Sequence, residues 1–298
     1  MLVDLCRHHL LLPDFATRRD LSDPGTISAV AAAVDSVEFL DLLAALTEAD
    51  SIATSPATWG SWKAGLLQDL VKRTTSVLEG ATPTEAAGPE FPTSEIRQLM
   101  ADRLSLTRGE GSILTVVAPD RPALFSQMAG VLAMHGLEVL DAAAYSSPDG
   151  MAACRFSLQP PATGVVDWNR VTGAAAKVVE GRVAVTARVR QRAQTYARYQ
   201  RRLSAAPPRL DVLIDNRVSN SATVVEVHAA DSVGLLFWIT QAVAELHLDI
   251  RAAKIQTFGP QAVDSFYLCD AEGQKLKDPE LLQELELAIR SAVGQEVL

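Results

Sequence analysis

The strongest constraint on the fold is an internal duplication. Asp120 and Asp231 lie 111 residues apart, and around them one apolar pattern is written twice. Leu124 falls on Leu235, Met128 on Ile239, and Val131-Leu132 on Ala242-Val243. Leu137-Glu138-Val139 then falls on Leu248-Asp249-Ile250, and Phe156 on Tyr267. Agreement in register through a turn, a helix and the next strand marks two copies of one supersecondary unit. In the first copy Ile113–Ala118 reads as a buried strand, Ala123–His135 as an amphipathic helix and Leu137–Tyr145 as a second strand. Ser147-Pro148-Asp149-Gly150 is a turn signal ahead of a hairpin partner, Met151–Leu158. Val166–Val179 returns to helical spacing, and Val183–Val189 alternates like a closing strand. This order, β-α-β-β-α-β, is ferredoxin-like. In the second copy little chain follows the helix Pro279–Val293, so Leu210–Ile214 is expected to supply that edge strand instead.

The segment ahead of the duplication is helical throughout. Asp23-Pro24 opens a helix with proline in its first turn, and apolar residues recur at helical spacing through Leu46. Pro56 opens another, with Trp59, Trp62, Leu66, Leu67 and Leu70 on one side. Residues 79–92 hold three prolines and two glycines, which marks a flexible linker, and a short helix follows at Ser94–Arg103. The fold class is therefore α+β. The expected division is a helical block over 1–78, a linker over 79–110, a first module over 111–190, a basic linker over 191–209 and a second module over 210–298.

Composition narrows the function classes. A net charge of −9 argues against a general nucleic-acid binder, which needs a basic surface to displace counterions. Cys6, Cys154 and Cys269 are far apart, so no zinc ribbon or disulfide scaffold is readable, and a reducing cytoplasm is expected. Charged residues interrupt the first ten positions and the apolar run after Ile27, so neither a secretory signal nor a membrane span is expected. Between Gly181 and Leu210 stand eight arginines and no acidic residue. That segment reads as a solvated helical linker, or as a surface docking an acidic partner.

The informative site is the first strand-to-helix turn of each copy. It reads Asp120-Arg121-Pro122-Ala123-Leu124 in the first and Asp231-Ser232-Val233-Gly234-Leu235 in the second. A helix start leaves about four N–H groups free and carries partial positive charge, so it can hold a carboxylate. An aspartate beside it can take an ammonium, and a small residue such as Ala123 or Gly234 lets a ligand approach. One turn thus offers contacts for both ends of a free amino acid. The plainer alternative is that Asp120 and Asp231 only cap their helices.

The segment "ILTVVAPDRPALFSQMAGVLAMHGLEV" resembles an ACT domain. "LIDNRVSNSATVVEVHAADSVGLLFWITQAVAELHLDI", followed by "IQTFGPQAVDSFYLCDAEGQKL", resembles the last ACT domain of the bacterial PII uridylyltransferase/uridylyl-removing enzymes. Upstream, "RHHLLLPDFATRRDLSDPGTI", "ALTEADSIATSP" and "WGSWKAGLLQDL" resemble the end of that family's HD domain. The resemblance implies a helical remnant of an HD domain followed by two ACT domains that sense glutamine or another small amino acid. It also implies the PII signalling protein as partner, a possible dimer formed through ACT sheets, and a role in nitrogen regulation. Two departures bear on the sites: Ala123 stands where the family usually has glycine, and Ser232-Val233 where Arg-Pro is usual.

The family's nucleotidyltransferase needs a Gly-Ser turn and paired acidic residues, and its HD site needs a His-Asp pair, with Mg or Mn implied. Neither set is readable here. Asp50 in "LTEAD" matches only the late HD aspartate, an orphan metal ligand or an ordinary exposed carboxylate. His8 and His9 are adjacent and diverge by about 100° on a helix, so they do not chelate together. No catalytic residue and no cofactor is expected of this chain alone. The open readings are a sensor portion of such an enzyme, a stand-alone amino-acid-binding regulator, or a part of an active bifunctional nucleotidyltransferase/phosphodiesterase.

Overall fold

The computed structural model describes residues 2–54, 61–87, 91–161, 164–200, 208–258 and 260–294. They divide into two compact units. The first is built from helices α1 (Leu2–His8), α2 (Leu11–Arg18), α3 (Pro24–Val34), α4 (Val37–Thr54), α5 (Ser61–Leu78) and α6 (Pro83–Ala87). Asp23 caps α3 by accepting from the Gly25 N–H at 2.8 Å, with Pro24 in the first turn. The helix expected to continue to Leu46 breaks at Asp35, which takes a left-handed φ of 58°. Aspartate tolerates that region better than most residues. Ser36 Oγ then accepts from the Phe39 N–H at 3.2 Å and restarts the chain as α4. Leu12, Ile27, Val30, Leu40, Leu43, Leu67 and Leu70 close the core of this unit. Pro56 and Trp59, expected to open the next helix, lie outside the described residues.

Residues 79–110, expected as a linker, carry regular structure. Thr82 and Glu85 form a reciprocal capping box at the start of α6: the Thr82 N–H donates to Glu85 Oε2 at 2.9 Å, and the Glu85 N–H to Thr82 Oγ1 at 3.3 Å. Further on come α7 (Ser94–Ala101), capped by Thr93, and a strand, β1 (Leu106–Glu110).

The second unit continues with β2 (Ile113–Pro119), α8 (Leu124–His135), β3 (Val139–Ser146), β4 (Met151–Leu158), α9 (Trp168–Val179) and α10 (Val185–Gln200). The second copy comprises β5 (Asp211–Asp215), β6 (Thr223–Ala230), α11 (Leu235–Glu245), β7 (Asp249–Phe258), β8 (Gln261–Cys269) and α12 (Pro279–Gly294). The strands form one eight-stranded antiparallel sheet in the order β1-β2-β4-β3-β7-β8-β6-β5. Each half has the ferredoxin-like order, but its edge strand precedes the first β-α turn instead of closing the module. Leu210–Ile214 was expected in this role, and β5 pairs with β6 from Asp211 to Asp215. β1 does the same in the first copy.

With β1 in that place, the segment Val183–Val189 is not the expected strand. It leads into α10, whose Val185 and Val189 are four residues apart and buried on one helical face. Alternating valines over so short a run satisfy both periods, and tertiary packing decides between them. Burying each valine is worth about 1.5–3 kcal/mol, so the start of α10 packs onto the sheet unit, while from Gln191 to Tyr196 the helix is exposed or half-buried, in keeping with a solvated helical segment.

The two modules pair with each other through β3 and β7, where Ala142 faces Ala253. These residues occupy equivalent places in the two copies, so a pseudo-two-fold axis passes between them. A register shift between Val139 and Asp141 recurs between Ile250 and Ala252. The duplication thus extends to a β-bulge. The hairpin registers place Phe156 opposite Leu114 and Phe266 opposite Val225. The structural counterpart of Phe156 is therefore Phe266, not Tyr267, because the second hairpin is one residue shorter.

Above the seam α8 and α11 meet, with Ser126 Oγ donating to Gln241 Oε1 at 3.0 Å. At the equivalent contact Phe237 lies on Gly130, where a β-carbon would stand 2.4 Å from Val185 Cγ1 and 2.9 Å from the Phe237 ring. The opposite face of the first module is covered by α7, with Ile96 and Met100 against Val117, Met151 and Ala153. Gly130→Val is expected to cost about 1–3 kcal/mol through overpacking of this seam, measured as a shift of the urea midpoint.

Candidate functional site

Each copy's strand-to-helix turn is tied to its own hairpin. The Asp120 N–H donates to the Gly150 carbonyl and the Asp231 N–H to the Pro260 carbonyl, both at 2.9 Å. The helices then begin at Ala123 and Gly234, which are left-handed and provide no side-chain cap. Asp120 and Asp231 stand three residues earlier and are not the N-caps. The N–H groups of the first helical turns are consequently left without a side-chain acceptor, as an anion site requires.

The pseudo-symmetry turns these starts into two cavities, each drawing on both modules. The first, of about 350 Å³, is lined by Asp120, Arg121, Pro122, Ala123 and Leu124, and from the second module by His247, Leu248 and Asp249. The second, of about 250 Å³, is lined by Asp231, Ser232, Val233, Gly234 and Leu235, and from the first module by Gly136, Leu137 and Glu138. All ten turn residues singled out in the sequence therefore line one cavity or the other. Each cavity also receives an acidic residue from the opposite module, Asp249 in the first and Glu138 in the second. These two occupy the same place in the repeat, a coincidence the sequence alignment already contained.

The cavities are not chemically equal. Burial raises the Asp249 carboxyl above its usual range, and the charge of Asp120 adds to this. Burial likewise raises Asp231, with Glu138 adding. At one position on the inner strand the first cavity has Cys154 and the second Asp264, equivalent residues opposite Val116 and Val227. Burial pushes the Cys154 thiol up to about 12, with Asp120 contributing, so it stays a thiol at neutral pH. Burial pushes the Asp264 carboxyl up to about 8, eased by the Gln256 N–H and raised again by Asp231. Reading the sequence did not find Asp264; its only signal was an acid within the apolar strand "QAVDSFYLC".

The arginines also divide. Arg121 donates to Gln127 Oε1 at 2.6 Å and to the Val178 carbonyl at 2.7 Å, so it ties the first turn to the end of α9. Ser232 at the equivalent place makes no such tie. The second cavity instead receives Arg192 and Tyr196 from α10. Arg192 donates to the Met134 carbonyl at 3.2 Å, and Arg190 lies over the Trp238 ring at 5.2 Å. The smallness of Gly234 serves this helix, since a β-carbon there would meet Val189 Cγ1 at 2.5 Å.

Residues 218–296 match the family model described as the ACR family N-terminal ACT domain. The chain is 33% identical to the bifunctional uridylyltransferase/uridylyl-removing enzyme of Streptomyces coelicolor, over 94% of this chain and 39% of that protein. It is 33% identical to the protein of that name from Mycobacterium tuberculosis, over 98% of this chain and 38% of the relative. The chain is a homologue of these enzymes. It spans about two fifths of their length. Its sheet unit is a pair of ACT domains joined side by side.

Outside the ACT pair, Asp50 is exposed on α4. Among the described residues no three His, Cys, Asp or Glu side chains gather to hold a metal. The described residues therefore do not fit an HD-type metal centre around Asp50. No helix among them is long and apolar enough to cross a membrane.

Two measurements follow from the turn and the inner strand. Ala123 holds a φ of 64°, a region that strains a residue bearing a β-carbon by about 1–2 kcal/mol. Ala123→Gly is expected to raise the unfolding free energy by about 0.5–1 kcal/mol after the added chain entropy of glycine, measured by urea denaturation. A carboxyl raised in the folded state contributes stability that is present below the unfolded value of 3.8 and is lost as pH rises through about 8. Asp264→Asn should therefore raise the melting temperature more at pH 8 than at pH 5, and equal shifts would contradict a buried neutral acid.

Proposed function

We propose that this chain is the glutamine-sensing regulatory region of a uridylyltransferase/uridylyl-removing enzyme acting on the PII protein, and that its helical unit corresponds to the end of an HD domain. The observation carrying this reading is the pairing, in each cavity, of an uncapped helix start from one ACT domain with a carboxylate from the other. The N–H groups of the turn would hold the α-carboxylate of a free amino acid. The carboxylates would balance its ammonium, and the cavity sizes suit a ligand of that class.

A ligand in such a place touches both domains at once. It stabilises the joined arrangement over any arrangement in which β3 and β7 separate, by an amount set by its concentration relative to its Kd. That differential affinity is what a regulatory region needs in order to bias a catalytic partner. Mg or Mn, and the acidic or basic groups of the two reactions, would then belong to the enzyme's other parts.

Calorimetry with L-glutamine tests this reading. Heat and a thermal upshift are expected at millimolar glutamine, with D-glutamine binding more weakly. Asp120→Asn and Asp231→Asn should each weaken one class of site by about 10–100-fold, the worth of a charged hydrogen bond. No heat and no thermal shift with glutamine would overturn the reading.

A further inference from the structure

The feature left unused is Asp264. It is 1% exposed, yet it lines the second cavity. One oxygen accepts only a long hydrogen bond, 3.4 Å, from the Gln256 N–H. Among the described residues the other oxygen accepts none. Its cross-strand neighbours, Val227 and Ile255, are apolar. A carboxyl in such a place is costly to ionise unless something cationic arrives beside it.

Resting on the amino-acid reading above, we propose that Asp264 is the residue that selects a primary ammonium in the second cavity. The first cavity, with Cys154 at the equivalent position, lacks this group. The titratable and charged residues lining the second cavity with Asp264 are Asp231 from the turn, Glu138 from the start of β3, and Arg192 and Tyr196 from α10. Asp231 and Glu138 discourage a further negative charge at Asp264 while the cavity holds no cation. Arg192 is turned to the end of α8 through the Met134 carbonyl.

The consequence is a proton balance set by Asp264. Near pH 7 the Asp264 carboxyl holds its proton, since burial places its titration at about 8. An incoming ammonium replaces that proton as the counter-charge: the O–H bond of Asp264 is broken, the proton leaves to buffer, and an ion pair forms. Binding thus releases up to one proton per chain, and affinity rises by up to about tenfold per pH unit between pH 6 and 8. In the first cavity a thiol that titrates at about 12 takes no part in such an exchange.

The test is calorimetry of L-glutamine on the full chain at pH 7 in phosphate and in Tris, whose ionisation enthalpies differ. The expected result is net proton release, absent in Asp264→Asn. N-acetyl-L-glutamine, which lacks the ammonium, should release no proton. Infrared difference spectra of the unmodified protein provide a readout free of any folding defect, since the band of a protonated carboxyl should fade on adding glutamine. Glutamine binding without proton release or loss of that band, or proton release retained in Asp264→Asn, overturns the assignment of Asp264 while leaving the amino-acid reading intact. Absence of glutamine binding overturns both.

Discussion

The pairing of β3 with β7 is the interaction on which the rest of the ACT pair depends. It rests on small residues: Ala142 and Ala143 face Ala253 and Ala252, and the helices above approach through Gly130. A ferredoxin-like sheet leaves one long edge beside its second strand, which is an open invitation to association. Here a second copy in the same chain closes it. The outer edges that remain, β1 and β5, carry Arg108, Glu110, Asp211 and Asp215. Charged residues of this kind discourage further strand addition.

That seam also makes the cavities. Each cavity is lined from both modules. Rotation about the axis between Ala142 and Ala253 brings Asp249 toward Asp120 and Glu138 toward Asp231. Burial raises the carboxyls of Asp249 and Asp231, and the like charge that this geometry brings across the seam raises them further. A cation shared between the modules would relieve it, so under the proposed reading the joined and the liganded state would favour one another.

Exact symmetry is broken by α10, which has no counterpart among the described residues after α12. It lays Val189 on Gly234 and brings Arg192 and Tyr196 to the second cavity alone. Together with the exchange of Cys154 for Asp264, this gives two copies of one fold different electrostatics. Duplicated modules commonly diverge where a site is concerned while their cores stay alike, because packing constrains the core of both copies equally and the sites only separately.

The sequence by itself determined the duplication, the β-α-β-β-α order, the α+β class and the ten turn residues. Each depends on local periodicity or on backbone chemistry that a single segment displays, such as the Asp23-Pro24 helix start or the Ser147–Gly150 turn. Tertiary structure decided which segment became the edge strand, since Leu106–Glu110 carries little apolar signal and Val183–Val189 fits two periods. Tertiary structure also decided that Asp120 and Asp231 do not cap, that Arg121 ties its turn to α9, and that Asp264 lines the site. The reason is common to all of these. A cavity between two modules is made of residues about 100 positions apart, and their approach is set by sheet pairing, which leaves no trace in either segment read alone.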